Sequence, residues 1–92
     1  MKLIHQIRIK NRMGLHTRPA TTIVQLLQTC NSDVHFTYRR ETINARSILS
    51  ILTLAATCDT KLTITVDGND AQETLQKLVT AFENKFEECQ SI

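Results

Sequence analysis

The residues able to do chemistry lie in one stretch, Gly14-Leu15-His16-Thr17-Arg18-Pro19-Ala20, where a strand pattern gives way to a helix pattern. The first turn of a helix leaves N–H groups without partners and carries a partial positive charge, so such a corner attracts anions. His16 sits there, and neutral imidazole is a nucleophile. If the ring attacks a phosphoryl group, the resulting dianion lies against backbone donors and the Arg18 guanidinium, which holds it through charge-assisted hydrogen bonds. Pro19 suits a first helical turn, where its missing N–H is not needed. Gly14 permits the close turn that exposes the ring. The plainer reading makes His16 an N-cap-like residue and Arg18 a solvated side chain. No Ser–His–Asp, HExxH or Walker-type arrangement competes. Phosphate is held here without a metal or a cofactor.

The elements that must position this corner follow from hydrophobic period. Residues 2–9 alternate as a strand, with Leu3, Ile7 and Ile9 on one face and Ile4, Gln6 and Arg8 on the other. A loop, 11–14, leads into a helix from about Thr17 to Gln28 whose stripe is Ala20, Ile23, Val24 and Leu27. Val34, Phe36 and Tyr38 alternate in a second strand. Arg39-Arg40-Glu41 turns the chain without the usual glycine, into a third strand at 42–45. Ser47 is an N-cap for a short helix to about Leu54. The apolar set of that helix (Ile48, Leu49, Ile51, Leu52 and Leu54) covers more than one face, so it is wholly buried or offered in part to a partner. Lys61 to Asp67 is a fourth strand. Asp70 with Glu73 reads as a capping box for a last helix with the stripe Ala71, Leu75, Leu78, Val79, Phe82 and Phe86. The order βαββαβα, with strands apolar on one face, predicts an α+β open-faced sandwich: an antiparallel sheet with helices on one side. One domain over residues 1–92 is expected, with an ordered core at about 2–86 and a frayed tail at 87–92.

Composition narrows the function. The net charge of +2 is too small to argue for nucleic acid, and with four aromatics and no Trp there is no stacking platform for single strands. Charge is unevenly spread, however. Residues 1–46 hold eight basic and two acidic residues, net +6, and residues 47–92 hold three and seven, net −4. The basic half would attract acidic proteins or phosphorylated groups. Cys30, Cys58 and Cys89 match no metal or redox spacing and read as thiols in a reducing cytosol. No run of residues approaches the ~18 apolar positions of a membrane span.

The stretch Gly14–Ala20 resembles the active-site signature of the HPr family, the phosphocarriers of the bacterial phosphoenolpyruvate-dependent sugar phosphotransferase system. The segment from Asn44-Ala45-Arg46-Ser47 through Leu54 resembles that family's regulatory serine and following helix, and the likeness runs over nearly the whole chain. It implies an HPr-like sheet of order 1-4-2-3, where a ferredoxin-like domain with an accidental motif would show 4-1-3-2. It implies a cytoplasmic monomeric carrier, not an enzyme in its own right. His16 would take phosphate on Nδ1 from enzyme I and pass it to IIA domains for sugar uptake, with Arg18 stabilising the phosphorylated ring. Ser47 matches the position modified by HPr kinase/phosphorylase in some lineages. Thr17, Ala20, Ile48, Leu49 and Leu52 match the surface where partners dock. The alternative is a phospho-switch of the same fold that signals by binding rather than feeding transport. Arg46 stands where the family often has lysine, and Ser50, Ala55 and Asp59 replace common glycines.

Overall fold

The computed structural model describes residues 1–86; the expected frayed tail, 87–92, and Cys89 with it, lie outside the described residues. The elements are β1 (Lys2–Arg8), α1 (Thr17–Leu27), β2 (Asp33–Tyr38), β3 (Glu41–Asn44), α2 (Ile48–Leu54), β4 (Lys61–Asp67) and α3 (Ala71–Glu83). The four strands form one antiparallel sheet in the order β1-β4-β2-β3, which is the HPr-like and not the ferredoxin-like order.

Alternation decides what the sheet buries. Val34, Phe36 and Tyr38 of β2 and Leu62, Ile64 and Val66 of β4 point into the core, while Thr37, Thr63 and Thr65 line the open face. The central strands bury their apolar face fully. The outer strand β1 manages only partial cover for Leu3 and Ile7, and Ile9 just beyond it is buried completely. Against this face α1 sets Pro19, Ala20, Ile23 and Leu27, and α3 sets Ala71, Leu78 and Phe82. Phe82 meets Phe36 edge to face at 6.1 Å and Phe86 at 4.8 Å, an arrangement the ring quadrupoles favour. Phe86 packs after α3 has ended.

Three local features bear on the sequence expectation. The β2–β3 connection is a two-residue turn, closed by the Tyr38–Glu41 pair, with Arg39 and Arg40 both left-handed at φ 49° and 72°. That is the type I′ geometry a tight hairpin needs, reached without glycine or asparagine. The capping box at α3 does not form. Asp70 occupies the N-cap by backbone, but its carboxylate accepts from the Asn31 amide at 2.8 Å and from the Ser32 hydroxyl. Ser32 is fully buried against Gly68, where a Cβ would come within 2.5 Å of its hydroxyl oxygen, so the side chain is held in reach of Asp70. Last, α2 ends at Ala55 in the left-handed region, φ 53°, and Asp59 follows at φ 67°. These are two of the positions where family glycines are replaced.

Two outcomes follow from this geometry. The Ser32 hydroxyl first and the Asn31 amide second hold the Asp70 carboxyl below the ordinary aspartate value. A depressed folded value means stability present above the unfolded value and lost as pH falls through the folded one, so this contribution disappears below about pH 4. Asp70→Asn should flatten the acid limb of a stability-versus-pH curve measured by denaturant unfolding. Ala55→Gly removes a left-handed alanine and should add about 1 kcal/mol, seen as a melting temperature raised by roughly 4–8 °C.

Candidate functional site

The site is assembled from a turn, a strand-to-helix junction and the segment after α2. Residues 11–14 form a turn closed by the Gly14 amide donating to the Asn11 carbonyl at 3.1 Å. The Leu15 amide then donates to the Ala56 carbonyl at 3.0 Å, and Leu15 itself is buried. Gly14 sits at φ 70°, and a Cβ there would lie 2.3 Å from the Ala56 carbonyl oxygen. Only glycine permits both the dihedral and the approach. The same segment grips β1: the Asp59 amide donates to the Ile9 carbonyl at 2.8 Å, and the Ile9 amide to the Thr60 carbonyl at 2.9 Å.

This framework places His16 as the N-cap of α1, in extended conformation, with no side-chain capping bond. The first amide of α1 to bond within the helix is that of Ala20, which donates to the His16 carbonyl at 3.0 Å. The amides of Thr17 and Arg18 precede it in the first turn, where intrahelical carbonyls are lacking, and Pro19 has no N–H to satisfy. The imidazole is half-buried, and its Nε2 atom is buried. Arg18 is exposed and, among the described residues, makes no hydrogen bond or ion pair, so its guanidinium can swing to a group on the ring. The arrangement suits a transient dianion on the ring, met by helix amides and a guanidinium. Among the described residues no cluster of His, Cys, Asp and Glu could hold a metal ion.

The expected docking residues divide. Thr17 is exposed beside His16. Ile48 and Leu49 are exposed, at 37% and 75%, and Leu52 is half-buried with part of its side chain against the core. Ala20 is a correction: it belongs to the buried stripe of α1, has no exposed surface and cannot touch a partner. Met13, 69% exposed just before Gly14, was not anticipated; its signal was an apolar residue in a polar loop that belongs to no stripe.

Ser47 caps α2 as expected, its Oγ accepting from the Ser50 amide at 3.3 Å. The neighbouring Arg46 has a role that the sequence does not reveal. Its guanidinium donates to the carbonyls of Leu27 at 2.7 Å, Cys30 at 2.9 Å and Ser32 at 2.8 Å. The cation thus satisfies the negative C-terminal end of α1 and ties it to the start of α2. His16 caps one end of α1, and Ser47 is tethered near the other.

Comparison with known proteins agrees with this geometry. Residues 4–84 match the family model described as the PTS HPr component phosphorylation site. The phosphocarrier protein HPr of Chlamydia pneumoniae is 45% identical over 80 residues, 87% of this chain and 74% of that protein. HPr of Treponema pallidum is 35% identical over 86 residues, 94% of this chain and 98% of that protein. A crystal structure of HPr from Thermoanaerobacter tengcongensis superposes with a TM-score of 0.89 at 32% identity, covering 94% of this chain and 97% of that one. The chain belongs to the HPr family of phosphocarrier proteins of the phosphotransferase system.

Gly14→Ala tests the framework. It imposes left-handed strain and a clash with backbone that cannot yield cheaply, so a loss of about 2–4 kcal/mol is expected in chemical unfolding.

Proposed function

We propose that the chain accepts a phosphoryl group on His16 Nδ1 from the phosphohistidine of enzyme I and hands it to the histidine of a IIA domain. The observation that carries this is the half-buried His16 ring at a helix N-terminus, with Nε2 inward and the exposed Arg18 alongside. In each transfer one P–N bond breaks as another forms, and the electron pair returns to the ring that leaves. The chain contributes position and charge: the Thr17 and Arg18 amides and the guanidinium stabilise the phosphoryl oxygens, and the partner supplies the opposing histidine in line. Each charge-assisted bond is worth about 1.5–3 kcal/mol. The bonds stabilise a product that is still labile enough to pass on.

In this reading the carrier works as a cytoplasmic monomer, since His16, the amides and Arg18 all come from one copy. No helix among the described residues is long and apolar enough to cross a membrane. Thr17, Met13, Ile48, Leu49 and the exposed part of Leu52 form the contact surface for enzyme I and IIA. A regulatory reading is supported by one further observation: Ser47 Oγ is already at a helix N-cap, where a phosphate is tolerated without melting the helix. Modification there by HPr kinase/phosphorylase would place a dianion beside Ile48 and Leu49. Because Ser47 is tethered toward the far end of α1 from His16, the added charge acts on partners at that surface.

Incubation with phosphoenolpyruvate and enzyme I should give one acid-labile phosphoryl group on His16, absent in His16→Ala. Arg18→Ala should shift the phosphorylation equilibrium with enzyme I against the carrier by about tenfold, the equivalent of one charge-assisted bond. An adduct that persists in His16→Ala overturns the assignment.

A further inference from the structure

The strand register sorts charge along the sheet. Arg8 of β1 stands directly opposite Lys61 of β4, and both are exposed. Like charges so placed destabilise a sheet by about 0.2–1 kcal/mol. The β2–β3 turn lies at the same end, because β4 begins where β2 finishes: Thr37 pairs with Thr63. Its tip is Arg39-Arg40, exposed and left-handed at both residues, a conformation that costs an ordinary side chain about 1–2 kcal/mol. Arg39 is held over the Tyr38 ring at 5.2 Å, and Arg8 donates to the Asp59 carbonyl at 2.8 Å. The carboxylates of this end include Asp59, Glu41 and Glu83, which pairs with Lys10 at 3.2 Å, yet among the described residues none of the four cations makes an ion pair. At the opposite end charge is mixed: Asp67 faces Asp33 across the β2–β4 pair and Lys2 across the β1–β4 pair.

Two local rules are broken at this end of the molecule, by the Arg8–Lys61 pair and by the left-handed Arg39-Arg40 tip, and both leave exposed cations. Such breaches gather where function compensates for their cost. This end also adjoins His16: the segment 55–60 that binds the Leu15 amide and both backbone groups of Ile9 runs directly into Lys61. The net charge of +2 and the Asp33–Asp67 end make a poor surface for a long polyanion such as nucleic acid, and a good one for a partner with a localised acidic face.

We propose that Arg8, Lys61, Arg39 and Arg40 form an electrostatic docking surface for an acidic protein, the donor that phosphorylates His16. The inference rests on the carrier reading. It adds a contact outside the apolar surface of α2, acting on encounter rather than on the chemical step. Charge complementarity of this kind raises association rates and fades with salt.

The test measures phosphorylation of the full chain by phosphoenolpyruvate and enzyme I, in low salt and at about 0.5 M salt, where the screening length is roughly 4 Å. The double variant Arg39→Asn/Arg40→Gly removes two charges while supplying residues the type I′ turn prefers, so it should melt higher than the parent. Expected is a fall in kcat/KM of about three- to tenfold at low salt with kcat unchanged, vanishing at high salt. Arg39→Lys/Arg40→Lys should restore the rate. Unchanged kcat/KM at low salt, a fall in kcat alone, or a fall that high salt does not erase overturns the docking surface and leaves the carrier reading standing. Loss of that reading is distinguishable, because it would appear as labelling that survives His16→Ala.

Discussion

One backbone contact governs the site: the Leu15 amide on the Ala56 carbonyl, with Gly14 folded tightly against the same oxygen. It joins the turn before α1 to the segment after α2. It thereby sets where α1 begins and which way its unpaired amides face. Those amides stay bare because the ring at the N-cap does not turn back to satisfy them, as the proposed phosphoryl group on His16 requires. A serine or aspartate in that place would cap the helix and weaken the anion site in the same act. The chain forgoes a cap worth about 1 kcal/mol to keep the donors open.

The opposite end of α1 is treated the other way. There Arg46 donates to the carbonyl of Leu27, the last residue of α1, and to those of Cys30 and Ser32 just beyond it, so that end is tied down. Lysine, a point charge with a flexible stem, could not span three carbonyls in this fixed fork. The core beneath, from Phe36 and Ile64 to Ile23, Leu78 and Phe82, makes α1 a rigid bar between these two ends. The proposed function sits at the unsatisfied terminus of that bar, and its buried side packs into the core.

Strain elsewhere is unevenly distributed. Ala55, Asp59, Arg39 and Arg40 all hold left-handed dihedrals that glycine would adopt at less cost. Ala55 and Asp59 bracket the segment that grips Gly14, Leu15 and Ile9. The two arginines crown the sheet at the same end. A small domain has only a thin margin of stability, so conformational cost gathered around one corner marks that corner as the working part of the molecule.

Most of the fold was legible in the residues. Alternation in Val34–Tyr38 and Leu62–Val66, the 3.6 period of α1 and α3, and Ser47 before an apolar run each describe a local period or cap, and each element stands within a residue or so of its expected bounds except α3, which ends at Glu83 before the expected Phe86. The His16 corner was legible for the same reason: a helix start makes its own electrostatics. What the sequence could not decide depended on neighbours distant along the chain. Ala20 reads equally as stripe or surface until α1 is laid on the sheet, where it is sealed. Asp70 has the spacing of a capping box, but Ser32, brought beside it by Gly68, takes its carboxylate. Arg46 could be any surface cation until α1 ends within its reach. Local periodicity names the elements because it acts over a few residues; hydrogen-bond partners and exposure belong to whatever packing brings alongside, and only the tertiary structure supplies that.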